Sequence, residues 1–139
     1  MPLEADDDLR ALLQRTRSIA VLGAKSGRED DAFRVPLYMQ RVGYTMRPVN
    51  PRIDRVLDAP CVDRLAELDG PVDLVNVFRA PQHLPGHVDE ILAMPERPRA
   101  VWLQLGIRDD ASVARLQREG IDVVQDRCLM VEHRRLIAT

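Results

Sequence analysis

The fold of this 139-residue chain is decided by the stretch IAVLGAKSG at residues 19–27. A short unbroken apolar run that leads into a glycine turn is typical of a strand buried on both faces of a parallel sheet. Gly23 and Gly27 allow the backbone to turn tightly and to approach a ligand closely. Backbone N–H groups beside the ammonium of Lys25 are suited to hold a phosphate, so the turn predicts a phosphate site. An ordinary strand-to-helix turn is the alternative interpretation.

Outward from this stretch, predicted strands alternate with predicted helices. The strands are predicted at residues 18–22, 44–49, 72–78, 100–104 and 121–125, and the helices at 5–16, 32–42, 61–68, 85–94 and 109–119, with a short helix in the tail at 126–139. This alternation indicates βαβ units and a parallel sheet with helices on both faces. A Rossmann-like, doubly wound α/β sheet of about five strands is the simplest topology, and the chain is predicted to form one domain, 1–139.

Composition excludes several function classes. The net charge is −2 and aromatic residues make up 4% of the chain, which does not fit a nucleic-acid-binding surface. No apolar run approaches the ~18 residues of a membrane span, and no signal peptide is recognised, so no membrane association is predicted. Cys61 and Cys128 form neither a CxxC pair nor a metal-ligand spacing. A cytoplasmic protein without a bound metal is therefore expected.

The predicted strand ends form a candidate binding rim, because ligands of open α/β sheets bind outside the carboxyl ends of the strands. The residues directly after the five strands are Gly23, Ala24, Lys25 and Ser26; Asn50, Pro51 and Arg52; Phe78, Arg79, Ala80 and Pro81; Gln104, Leu105, Gly106 and Ile107; and Asp126, Arg127 and Cys128. Glycine, proline and basic or amide side chains dominate this rim. Such a rim suits an anionic ligand that contains a flat ring.

Two anionic ligands fit the residues after the second strand. An NAD site favours G-x-G-x-x-G and an acidic residue at that strand end, whereas this chain has G-x-x-x-G and places Asn50 and Arg52 there. An arginine at this position suits a ribose that carries an additional phosphate. NADP, with a 2′-phosphate, and coenzyme A, with a 3′-phosphate, both meet this requirement.

The chain resembles the small CoA-binding-domain proteins, the stand-alone relatives of the N-terminal domain of the succinyl-CoA synthetase α subunit. The segments that carry the resemblance are AVLGA (20–24), PVNPR (48–52), VD (72–73), VFR (77–79), VWLQLGI (101–107) and DRCLMVEH (126–133). They are distributed over nearly the whole chain, and the last segment is the most specific.

The resemblance implies a Rossmann-type domain that binds coenzyme A without a known reaction of its own. It implies that residues 23–26 face the pyrophosphate and that Arg52 faces the 3′-phosphate. It further implies that residues 78–81 lie on the adenine side and that residues 104–107 contact the pantetheine arm. The acidic stretch at 28–31 departs from this pattern, since carboxylates near a phosphate would weaken binding; these side chains are expected to cap the following helix and face water.

No catalytic machinery is evident at the rim. The Pro-Gly pair between His83 and His87 is expected to break the helix that would place both rings on one face, so no metal site is predicted. His133, beside a glutamate, is an acid/base candidate, and a histidine that anchors the tail is the alternative. Cys128 lies beside the cation Arg127, which permits a mixed disulfide with the thiol of coenzyme A. A buried, inert cysteine is the alternative there.

These observations predict a small protein that binds coenzyme A or acyl-CoA. An NADP-binding oxidoreductase or redox sensor is a second hypothesis, against which the missing G-x-G-x-x-G motif counts. A third is a subunit that completes an acyl-CoA synthetase in trans, because synthetases of this kind also contain a nucleotide-grasp domain. Acyl specificity and oligomeric state are not predicted.

Overall fold

The computed structural model describes residues 1–137, so the last two residues of the predicted tail helix lie outside the described residues. The strands are β1 (Ser18–Leu22), β2 (Thr45–Val49), β3 (Arg55–Val56), β4 (Ala59–Pro60), β5 (Leu74–Val77), β6 (Ala100–Leu103) and β7 (Asp122–Val124). The α-helices are α1 (Asp6–Arg15), α2 (Asp31–Arg41), α3 (Leu84–Leu92), α4 (Asp110–Arg118) and α5 (Leu129–Leu136), and 3₁₀ turns cover Leu65–Glu67 and Pro81–His83. Within this part of the chain, no helix has the length and apolar character needed to span a membrane.

Five parallel strands form one sheet in the order β2-β1-β5-β6-β7, which confirms the predicted doubly wound fold. The chain adds β2 on one side of β1 and then returns to add β5 on the other side. The order therefore reverses between β1 and β5, and such a switch point opens a crevice at the carboxyl ends of the strands.

Alternate residues of each strand supply two separate cores, one on each face of the sheet. Helices α1, α2 and α5 pack against the face that contains Val21 and Trp102. Helices α3 and α4 pack against the face that contains Leu22 and Val75. Trp102 is fully buried, and its indole N–H donates to the carbonyl of Arg127 at 2.8 Å. Burial on both faces explains why β1 and β6 read as short apolar runs.

The prediction of a helix at residues 61–68 is wrong. This segment follows the hairpin between β3 and β4, and it contains an isolated bridge from Val49 to Val62 and a single 3₁₀ turn. Leu57 and Asp58 adopt positive φ values of 58° and 56°, which form the tight turn of the hairpin. Pro60 favours an extended conformation of Ala59, the residue before it. In the 3₁₀ turn, Leu65 is the one buried residue. Val62 is held extended instead, because its backbone N–H donates to Pro48 and its carbonyl accepts from Asn50.

The Pro-Gly pair before His87 does not break a helix, contrary to expectation. Helix α3 begins at Leu84, so Pro85 and Gly86 occupy its first turn, where a missing N–H costs no hydrogen bond. The rings of His83 and His87 consequently lie 6.5 Å apart, centroid to centroid.

His133 anchors α5 to the rest of the fold, which matches the structural alternative predicted for it. Its Nδ1 lies 2.8 Å from the Tyr38 hydroxyl, and its ring contacts Tyr38 and Tyr44 edge to face. The ring is 4% exposed, and burial lowers the pKa of His133 below its usual 6.5. It lies with Leu13, Arg17 and other residues near the amino ends of β1 and β2, away from the switch-point crevice.

We expect His133 to make stability depend on pH. Because its pKa is lower in the folded state, the unfolded chain binds more protons as pH falls through about 6.5, and the free energy of unfolding decreases. His133→Asn keeps an acceptor near Nδ1 but does not titrate. Urea unfolding between pH 8 and pH 5 should show a shallower pH dependence for the variant, by at most about 1.4 kcal/mol per pH unit. Parallel profiles for the two proteins would contradict this role.

Candidate functional site

Two cavities lie side by side at the carboxyl ends of the strands, around the switch point. The β2-side cavity, of about 220 Å³, is lined by Leu22, Gly23, Val49, Asn50, Pro51, Asp63, Arg64, Arg79, His87 and Glu90. The β6-side cavity, of about 260 Å³, is lined by Lys25, Asp30, Asp31, Ala32, Phe78, Arg79, Ala80, Gln104, Leu105 and Ile107. Arg79 lines both cavities and therefore lies between them.

Two features of the turn require a glycine at position 23, namely its left-handed backbone conformation and the close packing of residues 78 and 79 against it. Its φ is +90°, in the left-handed region that side chains other than glycine disfavour. A Cβ placed there would lie 2.9 Å from Cδ of Arg79 and 3.0 Å from the carbonyl oxygen of Phe78. The stem of Arg79 thus lies directly over the glycine turn.

Asn50 joins the ends of β1 and β2. Its Nδ2 donates to the carbonyl of Ala24 at 2.7 Å, and its Oδ1 accepts from the backbone N–H of Arg52 at 2.8 Å. Asn50 lines the β2-side cavity, but both amide atoms of its side chain are used by backbone groups. Its contribution to the cavity is to fix the two strand ends.

The loop after Gly23 is held by a hydrogen bond to a carbonyl of α2. This carbonyl is free to accept it because a proline follows four residues later in the helix. Pro36 lies inside α2 and has no N–H to donate to the carbonyl of Ala32, four residues earlier. That carbonyl accepts from the backbone N–H of Lys25 instead, at 3.3 Å. The hydrogen bond fixes the backbone of Lys25, whose exposed side chain lines the β6-side cavity.

Two carboxylates lie at the same cavity as Lys25. Asp30 occupies the N-cap position of α2 but makes no side-chain capping bond, so the expectation that it caps the helix is wrong. Its carboxylate lies over Gly27 instead, where a Cβ would be 2.5 Å from Oδ2. Asp31 pairs with Arg34 at 3.5 Å, and both aspartates line the β6-side cavity. The charge there is therefore mixed rather than uniformly positive.

Gln104 connects the β6-side cavity to the core. It is 5% exposed, and its Oε1 accepts from the backbone N–H of Leu129 at 3.3 Å and from Nδ2 of Asn76 at 3.4 Å. Asn76 is fully buried in β5 and also donates to the carbonyl of Trp102 at 3.3 Å. This network links β5, β6 and the start of α5 beneath the cavity.

Not every residue predicted for the site lines these two cavities. Ser26, Arg52 and Pro81 are exposed and lie outside their linings. Ala24 is buried and contributes its carbonyl to the Asn50 bridge. Gly106 forms a left-handed turn at φ +87°, and its N–H donates to Asp126 at 2.7 Å.

Four polar residues of the β2-side cavity were not predicted from the sequence, namely Asp63, Arg64, His87 and Glu90. The first two come after the β3–β4 hairpin, in the segment that was predicted to be helical. The other two lie three residues apart on α3, and this i,i+3 spacing was a usable signal for a side-chain pair. The residues directly after β2 include no carboxylate, and the two carboxylates of this cavity come from Asp63 and Glu90.

A third cavity, of about 400 Å³, adjoins the ends of β6 and β7 and shares Leu105 with the β6-side cavity. Cys128 is half-buried in its lining, and Val131 is 49% exposed there. The mixed disulfide predicted for Cys128 stays a prediction. Among residues 1–137, no group of three or more His, Cys, Asp or Glu side chains could hold a metal ion.

The fold and this crevice define a doubly wound α/β domain of the class that binds ligands at its switch point. A family model described as "CoA binding domain" matches residues 17–134, which include every residue of the two central cavities. The chain therefore belongs to the CoA binding domain family.

Other proteins resemble this chain in sequence and fold over nearly its whole length. The chain is 37% identical to "Uncharacterized protein YneT" of Bacillus subtilis (strain 168), over 91% of this chain and 92% of that protein. It is 45% identical to the Thermus thermophilus protein "cell-free ID.343", with a TM-score of 0.91 over 96% of this chain and 100% of that chain. A "hypothetical protein from Pyrococcus horikoshii OT3" is 29% identical, with a TM-score of 0.91 over 99% of this chain and 96% of that one.

We expect Gly23→Ala to destabilise the protein by roughly 1–3 kcal/mol, since it combines a left-handed backbone with a contact to a fixed carbonyl oxygen. Gly86→Ala is a matched control: its Cβ would meet no atom within 4 Å, and alanine favours the helix by about 0.5–1 kcal/mol. Denaturant unfolding of the three proteins measures both effects. Equal stability of Gly23→Ala and the wild type would contradict the close approach.

Proposed function

We propose that this protein binds coenzyme A or an acyl-CoA along the carboxyl edge of its sheet. The observation that carries the proposal is the family match over residues 17–134, because the matched segment contains both cavities of the switch-point crevice. The proposed role is that of a binding module.

The dimensions of the crevice support a long ligand. The two central cavities measure about 220 and 260 Å³, each below the ~300–1,000 Å³ of usual small-molecule pockets. They adjoin at Arg79, so a ligand with a nucleotide and an extended arm would occupy both. Leu105 continues the path from the β6-side cavity into the third cavity, which contains Cys128. In this arrangement the nucleotide lies near β2 and the pantetheine arm runs towards β7.

The charges of the crevice support approximate positions for the phosphates of the proposed ligand. Lys25 lies at the end of β1, beside the glycine turn, and is the cation available to the pyrophosphate. Arg64 lines the β2-side cavity, and Arg52 is exposed at the end of the neighbouring strand. Both arginines are within the region where the 3′-phosphate of coenzyme A is expected.

Thermal unfolding with coenzyme A, acetyl-CoA, NADP, NAD and ATP at one concentration tests this function. A ligand at ~100 times its dissociation constant stabilises the folded state by about 2.7 kcal/mol, a shift of roughly 8 °C for a chain of this size. We expect coenzyme A or acetyl-CoA to raise the midpoint and the other three nucleotides to leave it unchanged. A shift with NADP alone would overturn the proposal in favour of a redox function.

Variants localise the binding. Lys25→Ala and Arg52→Ala each remove one predicted phosphate contact. Each variant should bind coenzyme A about tenfold more weakly than the wild type. Arg17→Ala is the matched control, because Arg17 is exposed at the opposite end of β1 and should not change the affinity. Unchanged affinity in both phosphate variants would place the ligand outside this crevice.

We expect Asp30→Asn to strengthen coenzyme A binding, because it removes a negative charge from the cavity that faces the ligand's phosphates. An exposed charge pair contributes up to about 1 kcal/mol, so the gain should be roughly two- to fivefold at low salt and should shrink as salt screens it. Glu96→Gln, an exposed change near the amino end of β6, is the control. Titration calorimetry at two salt concentrations measures both variants, and weaker binding by Asp30→Asn would contradict the prediction.

A further inference from the structure

The β2-side cavity contains a histidine whose ring is fixed by a carboxylate. Nδ1 of His87 lies 2.7 Å from Oε1 of Glu90, one helical turn further along α3. The two side chains are 15% and 32% exposed, so the pair is largely shielded from water. An ionised carboxylate can only accept a hydrogen bond, and the ring hydrogen therefore resides on Nδ1. A hydrogen bond of this kind fixes both the tautomer and the orientation of the imidazole.

The other ring nitrogen of His87 is unsatisfied. Nε2 is buried and has no hydrogen-bond partner within residues 1–137. In the neutral ring that carries its hydrogen on Nδ1, Nε2 is an acceptor. Buried acceptors in native proteins are paired as a rule, so an unpaired one at a cavity calls for an explanation. Because Nε2 is covered in this structure, a ligand donor reaches it only after side chains of the cavity lining have moved.

The surroundings of this acceptor suit a nucleoside. Apolar atoms of Leu22 and Val49 line the cavity beside His87, and Asp63 contributes a second acceptor group. Ribose hydroxyls and the amino group of a purine are donors, and the purine ring is flat. The cations of the cavity, Arg64 and Arg79, are the groups suited to the phosphates that flank the ribose.

We propose that His87 determines the specificity of the crevice for the nucleoside half of its ligand. Nε2 of His87 accepts a hydrogen bond from the purine amino group or from a ribose hydroxyl, while Glu90 holds the ring in the accepting tautomer. This inference rests on the proposed binding of coenzyme A. It assigns the β2-side cavity to the adenosine portion of that ligand and gives recognition of the nucleoside to α3, in addition to the strand ends.

Titration calorimetry with matched ligand halves tests the inference. The probes are coenzyme A, adenosine 3′,5′-bisphosphate and 4′-phosphopantetheine. His87→Asn retains an amide near the position of Nδ1 and removes Nε2, so it should weaken the first two ligands about tenfold and leave 4′-phosphopantetheine unchanged. His87→Gln places an amide oxygen near the position of Nε2 and should recover part of the loss. His83→Asn, a change to an exposed neighbouring histidine, should bind all three probes as the wild type does.

Ligand analogues distinguish the two possible donors on the wild-type protein, independently of how any variant folds. Inosine 3′,5′-bisphosphate lacks the purine amino group, and 2′-deoxyadenosine 3′,5′-bisphosphate lacks the free ribose hydroxyl. One of them should bind about tenfold more weakly than the adenosine compound, and His87→Asn should abolish that difference. Equal binding of all three bisphosphates by the wild type would overturn the inference. Coenzyme A binding that His87→Asn leaves intact would also overturn it while the proposed function stands, whereas a wild type that does not bind coenzyme A would refute the proposed function itself.

Discussion

The pairing of β1 on both sides is the constraint on which the rest of the structure depends. Leu22, its last residue, is in register with Val49 of β2 and Val77 of β5, so three strands end at one level. The N–H of Gly23 then donates to the carbonyl of Val49 at 3.0 Å, and the N–H of Phe78 donates to that of Leu22 at 2.9 Å. Because β1 is buried on both faces, its end cannot shift without disturbing both cores. The crevice is therefore positioned by a strand that is packed on both faces.

The parallel sheet could be predicted from the sequence because a strand buried on both faces appears as a short apolar run that leads into a turn. Strand ends are local features, so Gly23, Phe78 and Gln104 could be assigned to the crevice from their positions directly after these runs. The crevice residues that were not predicted are brought to it by tertiary contacts between segments distant in sequence. Asp63 and Arg64 depend on a hairpin of two-residue strands, too short for any periodicity to show. Their placement results from pairing with β2, which no local pattern encodes.

The electrostatics of the crevice favour selectivity over raw affinity. Lys25, Arg64 and Arg79 line the two central cavities together with Asp30, Asp31, Asp63 and Glu90, so both cavities contain cations and carboxylates. A uniformly basic edge would attract any polyphosphate, whereas interspersed carboxylates repel phosphates that are placed in the wrong register. Carboxylates also accept hydrogen bonds from hydroxyl and amino groups. Carboxylates at this edge depart from the pattern that the resemblance implies, and they supply hydrogen-bond acceptors to the crevice.

Arg79 imposes an additional condition on any ligand that spans both cavities. Its stem lies over Gly23, where the two central linings meet, and it must leave this position before a pyrophosphate can approach the glycine turn. Within residues 1–137 the guanidinium of Arg79 forms no ion pair, so the movement breaks packing contacts but no charge pair. Apparent affinity falls in proportion to the fraction of molecules in the open arrangement. A long side chain on the surface exchanges rotamers within nanoseconds, so this condition lowers affinity without slowing association. In the proposed complex, we expect the displaced guanidinium to pair with a phosphate of the ligand, which would recover part of the cost of opening.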